Sequence, residues 1–195
     1  PVHALRGVGM DVYAGEVHGL IGENGAGKST LMKVLAGVYR PDRGEMTLDG
    51  QPYAPSSPLD GRRAGISMIY QELVLAPHLS VEENVTLGAE HSRYGWIRPR
   101  TDEVRQVLGW LGQEGIDPSD RVRTLSIGKQ QLVEIARALL LRSRVVVMDE
   151  PTSSLAASDT RALFDVIERL KERGVAVIYI SHFLEEVKEV CDRYT

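Results

Sequence analysis

This sequence of 195 residues lacks several features that mark other classes of protein. Its single cysteine, Cys191, allows no internal disulfide and provides no cysteine-based metal site. No apolar run approaches the roughly 20 residues that a membrane-spanning helix needs. A nucleic-acid-binding domain usually has a basic excess, whereas the formal net charge here is -4. Because 43% of the residues are hydrophobic, the chain can still bury one sizeable core.

Strand-like and helical stretches alternate along the chain, which favours an α/β fold with a parallel core sheet. Four apolar runs are the predicted core strands, at residues 17–21, 65–70, 145–148 and 175–180. Residues 45–51 instead alternate between polar and apolar types and contain the turn-forming pair Asp49-Gly50. This segment predicts a separate antiparallel β piece near the N-terminus.

A mostly helical stretch over residues 80–141 interrupts the strand rhythm. Its three predicted helices each begin at a residue able to cap them, namely Ser80, Thr101 and Ser126. We therefore expect one domain over residues 1–195, with a core formed by 1–79 and 142–195 and a helical lobe formed by 80–141. The sequence starts without an initiator methionine and stops directly after a helical pattern, so we expect it to belong to a longer protein.

A phosphate-binding loop is predicted between the first strand and the first helix. Its nine residues fit the pattern G-x-x-x-x-G-K-[ST]: Gly22, Glu23, Asn24, Gly25, Ala26, Gly27, Lys28, Ser29 and Thr30. We call these residues the phosphate cradle. The glycines let backbone N–H groups point inward, Lys28 supplies positive charge for the β- and γ-phosphates, and the Ser29 hydroxyl suits Mg²⁺. The positive end of the following helix acts at the same place.

Polar side chains follow three of the other predicted strands. Asp149 and Glu150 come directly after the apolar run 145–148, and ligands of parallel sheets bind at the carboxyl ends of the strands. Asp149 is the candidate Mg²⁺ ligand, and Glu150 is the candidate group that polarises an attacking water. The alternative is that both carboxylates only cap the next segment. Gln71 could give its carbonyl oxygen to the metal, and His182 would lie near a γ-phosphate.

The segment before the third lobe helix, residues 125–131, reads Leu-Ser-Ile-Gly-Lys-Gln-Gln. With the cradle, Gln71, the pair Asp149-Glu150 and His182, in this order and spacing, it resembles the ATP-binding domain of ABC transporters, whose signature reads Leu-Ser-Gly-Gly-Gln. The resemblance covers nearly the whole chain. In detail the chain is similar to the first of two tandem ATPase domains in bacterial importers of ribose, galactose, xylose and arabinose.

In that family, two ATPase domains face each other head to tail, and each ATP lies between the cradle of one domain and the signature of the other. The resemblance therefore implies that Ser126, Gly128 and Lys129 contact the ATP of a second ABC ATPase domain. It implies ATP and Mg²⁺ as cofactors, and ATP hydrolysis that drives sugar import. It further implies permease subunits as transmembrane partners, a periplasmic sugar-binding protein as an indirect partner, no nucleic acid, and a peripheral position on the cytoplasmic face of the cell membrane.

The apolar segment 71–88 has two interpretations, which can both hold. One is a packed hinge between the core and the lobe, and the other, by the resemblance, is the face that receives short helices of the permease. Movement of such a hinge with Gln71 would report the γ-phosphate to the transporter.

The sequence departs from the family pattern at three positions. Ile127 and Lys129 replace a glycine and the glutamine of the signature. Ala156 stands where the family has an aspartate that helps couple the two sites, a role left open for Asp159.

Two other functional classes share the cradle. A regulatory or translation-associated ABC protein that never meets a membrane would have tandem domains joined by a long charged linker, which this sequence does not contain. A DNA-repair ATPase would place a coiled coil between cradle and signature, but that stretch is short and shows no heptads.

Overall fold

The structure is a computed structural model that describes residues 4–23, 25–88, 92–93, 96–97 and 99–195. The cradle residue Asn24 lies outside the described residues. The helices are α1 (Lys28–Leu35), α2 (Pro58–Arg63), α3 (Val81–Thr86), α4 (Thr101–Trp110), α5 (Ile127–Leu140), α6 (Ala157–Glu172) and α7 (Leu184–Val190), with a short 3₁₀ helix at Val122–Thr124. The strands are β1 (Val17–Leu20), β2 (Thr47–Leu48), β3 (Gln51–Pro52), β4 (Ile66–Ile69), β5 (Ser92–Arg93), β6 (Trp96–Ile97), β7 (Val145–Asp149), β8 (Ala176–Ile180) and β9 (Arg193–Tyr194).

Five strands form one parallel sheet in the order β4-β7-β8-β1-β9. Four of them coincide with the predicted apolar runs, which confirms the parallel core. The predicted antiparallel piece is the β2–β3 pair, and both residues of its turn have positive φ, 52° for Asp49 and 72° for Gly50. Such a two-residue turn matches the twist of a hairpin.

Strand β9 was not predicted, and the expectation that the chain stops directly after a helix is wrong. Its two residues are exposed and too few to show an alternating pattern. Backbone hydrogen bonds from Ile21 to the carbonyl oxygen of Thr195 (2.9 Å) and from Thr195 to that of Gly19 (2.8 Å) extend the pairing with β1. The strand therefore depends on β1 for its formation rather than on its own sequence pattern.

Successive strand residues point to opposite sides of the sheet, and both sides are buried. On one face, Val147, Ile178 and Ile180 pack with Met32 of α1. On the other face, strand side chains share a second apolar cluster with α5, α6 and the helices of the lobe. With both faces covered, the carboxyl ends of the strands remain as the edge on which loops can assemble a site.

The lobe helices begin largely as predicted. Ser80 and Glu83 form a reciprocal capping box at α3, and the Ser126 hydroxyl caps α5. The predicted cap at Thr101 is wrong, because Thr101 is the first helical residue of α4 and its hydroxyl donates to Glu82 Oε2 at 2.7 Å. The Glu82 carboxylate also accepts the backbone N–H of Arg100, so it provides the charged acceptor at this helix start.

Among the described residues, no helix has both the length and the apolar character needed to cross a lipid bilayer.

Candidate active site

The phosphate cradle curves around the amino group of its own lysine. Lys28 Nζ donates to the carbonyl oxygens of Gly22 (2.5 Å) and Glu23 (3.1 Å). Gly27, the last residue before α1, has a φ of +97°, which residues with a Cβ rarely adopt. A Cβ at Gly27 would also lie 2.7 Å from the carbonyl oxygen of Ala4. This position therefore requires glycine on two independent grounds.

The first turn of α1 is suited to an anion. It contains no acidic residue, and its cap, Gly27, has no side chain that could accept a hydrogen bond. The first N–H groups of a helix need acceptors from outside the helix, and the helix dipole favours a negative one. Ser29 is exposed in this turn. The structure thus combines a cation, uncapped N–H groups and a hydroxyl where the sequence predicts a phosphate site.

Asp149 is the last residue of β7, which lies between β4 and β8 in the sheet, and Glu150 directly follows it. Burial raises the pKa of Asp149, the charge of Glu150 raises it further, and the charges of Lys28 and Lys33 lower it. The positive charge of the cradle lysine thus favours the charged form of Asp149. The backbone of Glu150 has a φ of +48°, a strained value for a residue with a side chain, and its N–H donates to the carbonyl oxygen of Ile180 at 2.9 Å.

Glu150 and His182 are in direct contact. His182 Nδ1 lies 3.1 Å from Glu150 Oε1, and because a carboxylate can only accept, the ring nitrogen is the donor. The Glu150 side chain is 19% exposed and that of His182 is 46% exposed, so the pair reaches solvent from one side. The ring of Phe183 lies 3.9 Å from the imidazole, centroid to centroid, and supports it. Two residues far apart in the sequence thus form one unit at the sheet edge.

Glu186 of α7 fixes the backbone on both sides of this pair. Its carboxylate accepts the hydroxyl groups of Ser181 (2.9 Å), Tyr179 (2.9 Å) and Thr152 (2.7 Å). Burial raises the pKa of Tyr179, which keeps its hydroxyl a donor. Sequence reasoning missed Glu186, because the three hydroxyls come from two separate segments of the chain and no local pattern links them.

Gln71 lies two residues beyond β4, the strand next to β7, and is exposed. It is thus at the predicted edge of the sheet. Within the described part of the chain, no hydrogen bond joins it to Asp149 or Glu150.

The predicted signature residues begin α5. The Ser126 hydroxyl accepts the backbone N–H of Lys129 at 3.4 Å, and Ser126, Ile127 and Lys129 are exposed. Gly128 is buried, and a Cβ there would lie 2.6 Å from Cγ of Asp159. Asp159 therefore packs against the signature of its own chain, a contact that sequence reasoning had no means to predict.

One turn further along α5, the Gln131 amide donates to the carbonyl oxygen of Pro151 at 2.7 Å, in a buried position. This bond ties the signature helix to the residue that follows Glu150.

We expect Gly128→Ala to destabilise the domain relative to Gly109→Ala. Both positions are helical, so both variants gain the better helix propensity of alanine. Gly109 has open space around it, whereas the new methyl at position 128 must displace Asp159. The two free energies of unfolding, measured with a chemical denaturant, should differ by about 2 kcal/mol. Equal values would show that Asp159 moves away at no cost.

Comparison with known proteins identifies the family of this chain. The family profile described as ABC transporter matches residues 5–153. The chain belongs to this family. A solved crystal structure of a nucleotide-free ATP-binding cassette from an ABC transporter superimposes with a TM-score of 0.85 at 28% identity, covering 97% of this chain and 79% of that one.

Two similar relatives are named as sugar import proteins. The chain is 51% identical to the ribose import ATP-binding protein RbsA 2 of Escherichia coli O157:H7 over 98% of its own length and 38% of the relative's. It is 50% identical to the arabinose import ATP-binding protein AraG of Chromohalobacter salexigens over 100% of its own length and 39% of the relative's. The chain thus spans about two fifths of the length of these relatives.

Proposed function

We propose that this chain is the ATP-binding and ATP-hydrolysing domain of an ABC importer for a monosaccharide. The observation that carries the proposal is the Glu150–His182 pair, held at the sheet edge on which Asp149 and the cradle lysine also lie. The names of the ribose and arabinose import relatives support the sugar.

The cradle binds the triphosphate of ATP in this proposal. The backbone N–H groups at the start of α1 and the Lys28 ammonium contact the β- and γ-phosphates. Lys28 is already directed into the curve of the loop by its bonds to Gly22 and Glu23, so little rearrangement of its side chain is needed.

The residues present fit a magnesium ion. Mg²⁺ prefers oxygen ligands and uses few protein carboxylates, since water and phosphates complete its shell. The described residues hold no group of three or more acidic, histidine or cysteine side chains able to bind a metal by themselves. Asp149, whose charged form is disfavoured by burial and by Glu150, gains from a nearby cation. Asp149, Ser29 and Gln71 would hold the ion, which would neutralise phosphate charge.

Glu150 is the proposed base. One of its oxygens accepts from His182, which fixes the carboxylate plane and leaves the second oxygen for a water molecule. His182 holds the Glu150 carboxylate in place and, from the same edge of the sheet, offers a polar contact to the γ-phosphate. The Glu186 hydroxyl cluster holds the backbone on which both residues depend.

The signature residues Ser126, Gly128 and Lys129 have their proposed role in trans, on the ATP of a second ABC ATPase domain. The permease subunits, the sugar-binding protein that delivers substrate to them, and a position at the cytoplasmic face of the membrane complete the proposed assembly. The net charge of -4 gives no support for a nucleic-acid partner.

The test is ATP hydrolysis by this 195-residue chain, assayed over a hundredfold range of protein concentration. If each site needs a signature in trans, specific activity should rise steeply with concentration, because weak self-association supplies the second half of the site. Sedimentation run at the same concentrations reports the association, and EDTA should remove the activity. Full activity in a demonstrably monomeric sample would contradict the head-to-tail arrangement, and no hydrolysis in a sample that sedimentation shows to be associated would contradict the assignment as an ATPase.

A further inference from the structure

The segment between β4 and α3 is hydrogen-bonded to the side chains of the lobe. The backbone N–H of Val74 donates to Glu134 Oε1 at 2.6 Å, and Arg137 Nη1 lies 3.5 Å from the carbonyl oxygen of Val74. Ala76 lies two residues after Val74. The Asn84 side chain accepts the N–H of Ala76 at 2.8 Å and donates to the carbonyl oxygen of Ala76 at 3.0 Å. The backbone N–H and carbonyl groups of both Val74 and Ala76 are thus bound by side chains of the lobe.

The next residues continue this attachment. The carbonyl oxygens of Pro77 and Leu79 accept backbone N–H groups from residues 123 and 122 of the lobe, at 3.1 Å each. In contrast, residues 71–73 form no hydrogen bond within the described part of the chain. Residues 71–73 are therefore the connection between core and lobe on this side, whereas Val74 is already attached to the lobe by hydrogen bonds.

Glu134 is an unusual choice for this attachment. It is 8% exposed, burial raises its pKa, and its second carboxylate oxygen is buried without a partner among the described residues. Burying an acid in this way is unfavourable. The hydrogen bond from the Val74 N–H is the interaction that offsets part of this cost. Val74 is three residues from Gln71.

We propose that Glu134 is a positioning residue through which a displacement of Gln71 reaches the signature. Glu134 lies on α5, the same helix that begins with Ser126 and contacts Pro151 through Gln131. A movement of Gln71 pulls Val74, Val74 pulls Glu134, and the helix carries the movement to its first turn. The inference rests on the proposed function, in which Gln71 binds the metal of Mg-ATP.

The experiment compares four variants of the full-length protein in its transporter. Glu134→Met removes the acceptor at similar volume, and Glu134→Asp keeps the carboxyl group but withdraws it from Val74. Glu134→Gln keeps an acceptor for the same N–H. Glu114→Met makes the same chemical change at an exposed position of the lobe and serves as the matched control.

The decisive readout is hydrogen exchange of residues 127–133 with Mg-ATP and with ATP plus EDTA. We expect the metal to change exchange about threefold or more in the wild type, Glu134→Gln and Glu114→Met, and less than about 1.5-fold in the Met and Asp variants at position 134. Turnover in those two variants should fall about tenfold with KM for ATP within about twofold. A residue needed only for stability would raise exchange equally in both conditions and leave the metal response in place.

Glu134→Asp keeps the test valid if Glu134→Met does not fold. The proposal is overturned if both disruptive variants keep the metal response, or if Glu134→Gln loses it to the same extent as they do. A wild-type protein that hydrolyses ATP without any metal response in residues 127–133 overturns this inference alone. A wild-type protein that neither binds nor hydrolyses ATP overturns the proposed function, and this inference with it.

Discussion

Glu150→Gln should preserve ATP binding and lower the rate of hydrolysis by about 100- to 10,000-fold, the usual contribution of a general base. The amide has the same shape as the carboxylate and its oxygen can still accept from His182 Nδ1, which lies 3.1 Å from Glu150 Oε1. It cannot accept a proton from water. The measurement is single-turnover hydrolysis alongside equilibrium binding of ATP with Mg²⁺.

Glu185→Gln is the matched control for this prediction. Glu185 is exposed in the first turn of α7, three residues from His182, and takes no part in the proposed chemistry. Its variant should hydrolyse ATP at the wild-type rate. Undiminished hydrolysis by Glu150→Gln would refute the role of Glu150 as base, and loss of ATP binding would show that its charge serves to hold the substrate complex.

Lys28→Ala should weaken ATP binding by about 30- to 150-fold, because it removes a charge-assisted contact to the phosphates worth about 2–3 kcal/mol. There is a second effect of the same sign. Since the charge of Lys28 lowers the pKa of Asp149, its loss raises that pKa. Asp149 then stays protonated up to a higher pH and is a poorer metal ligand, so the affinity of the variant should decline further as the pH falls.

Lys33→Ala separates these two effects. Lys33 lies on the same helix and also lowers the pKa of Asp149, but it is outside the cradle. We expect calorimetry in magnesium buffer to show a small loss of affinity for Lys33→Ala and a large one for Lys28→Ala. Equal affinities of Lys28→Ala and the wild type would exclude the ammonium from phosphate binding.

Features that depend on neighbouring residues were predictable from the sequence. The turn at Asp49 and Gly50, the capping box at Ser80 and the cradle leading into α1 are each decided within a few residues. The carboxyl edge of the sheet was also predictable, because each apolar run delivers its polar successor to the same side.

Features that depend on contacts between distant segments were not predictable. The packing of Asp159 on Gly128, the hydroxyl cluster of Glu186 and the bond from Val74 to Glu134 each join parts of the chain that no local pattern relates. The error at Thr101 has the same origin, since the competing acceptor, Glu82, lies one helix earlier. Residue propensities indicate which side chains can cap a helix, but contacts with distant segments determine which acceptor is present there.

The position of β1 in the sheet has a consequence for synthesis on the ribosome. Although β1 is synthesised before the other four strands of its sheet, its two neighbours are β8 and β9, and Val17 pairs with Val177. At translation rates of about 5–20 residues per second, the roughly 160 residues between these partners take ~8–30 s to appear. Until then the strand leading into the cradle has two unpaired edges, which are liable to pair with other chains. The pairing of β1, and with it the strand end from which the cradle starts, is therefore completed only after β8 and β9 have been made.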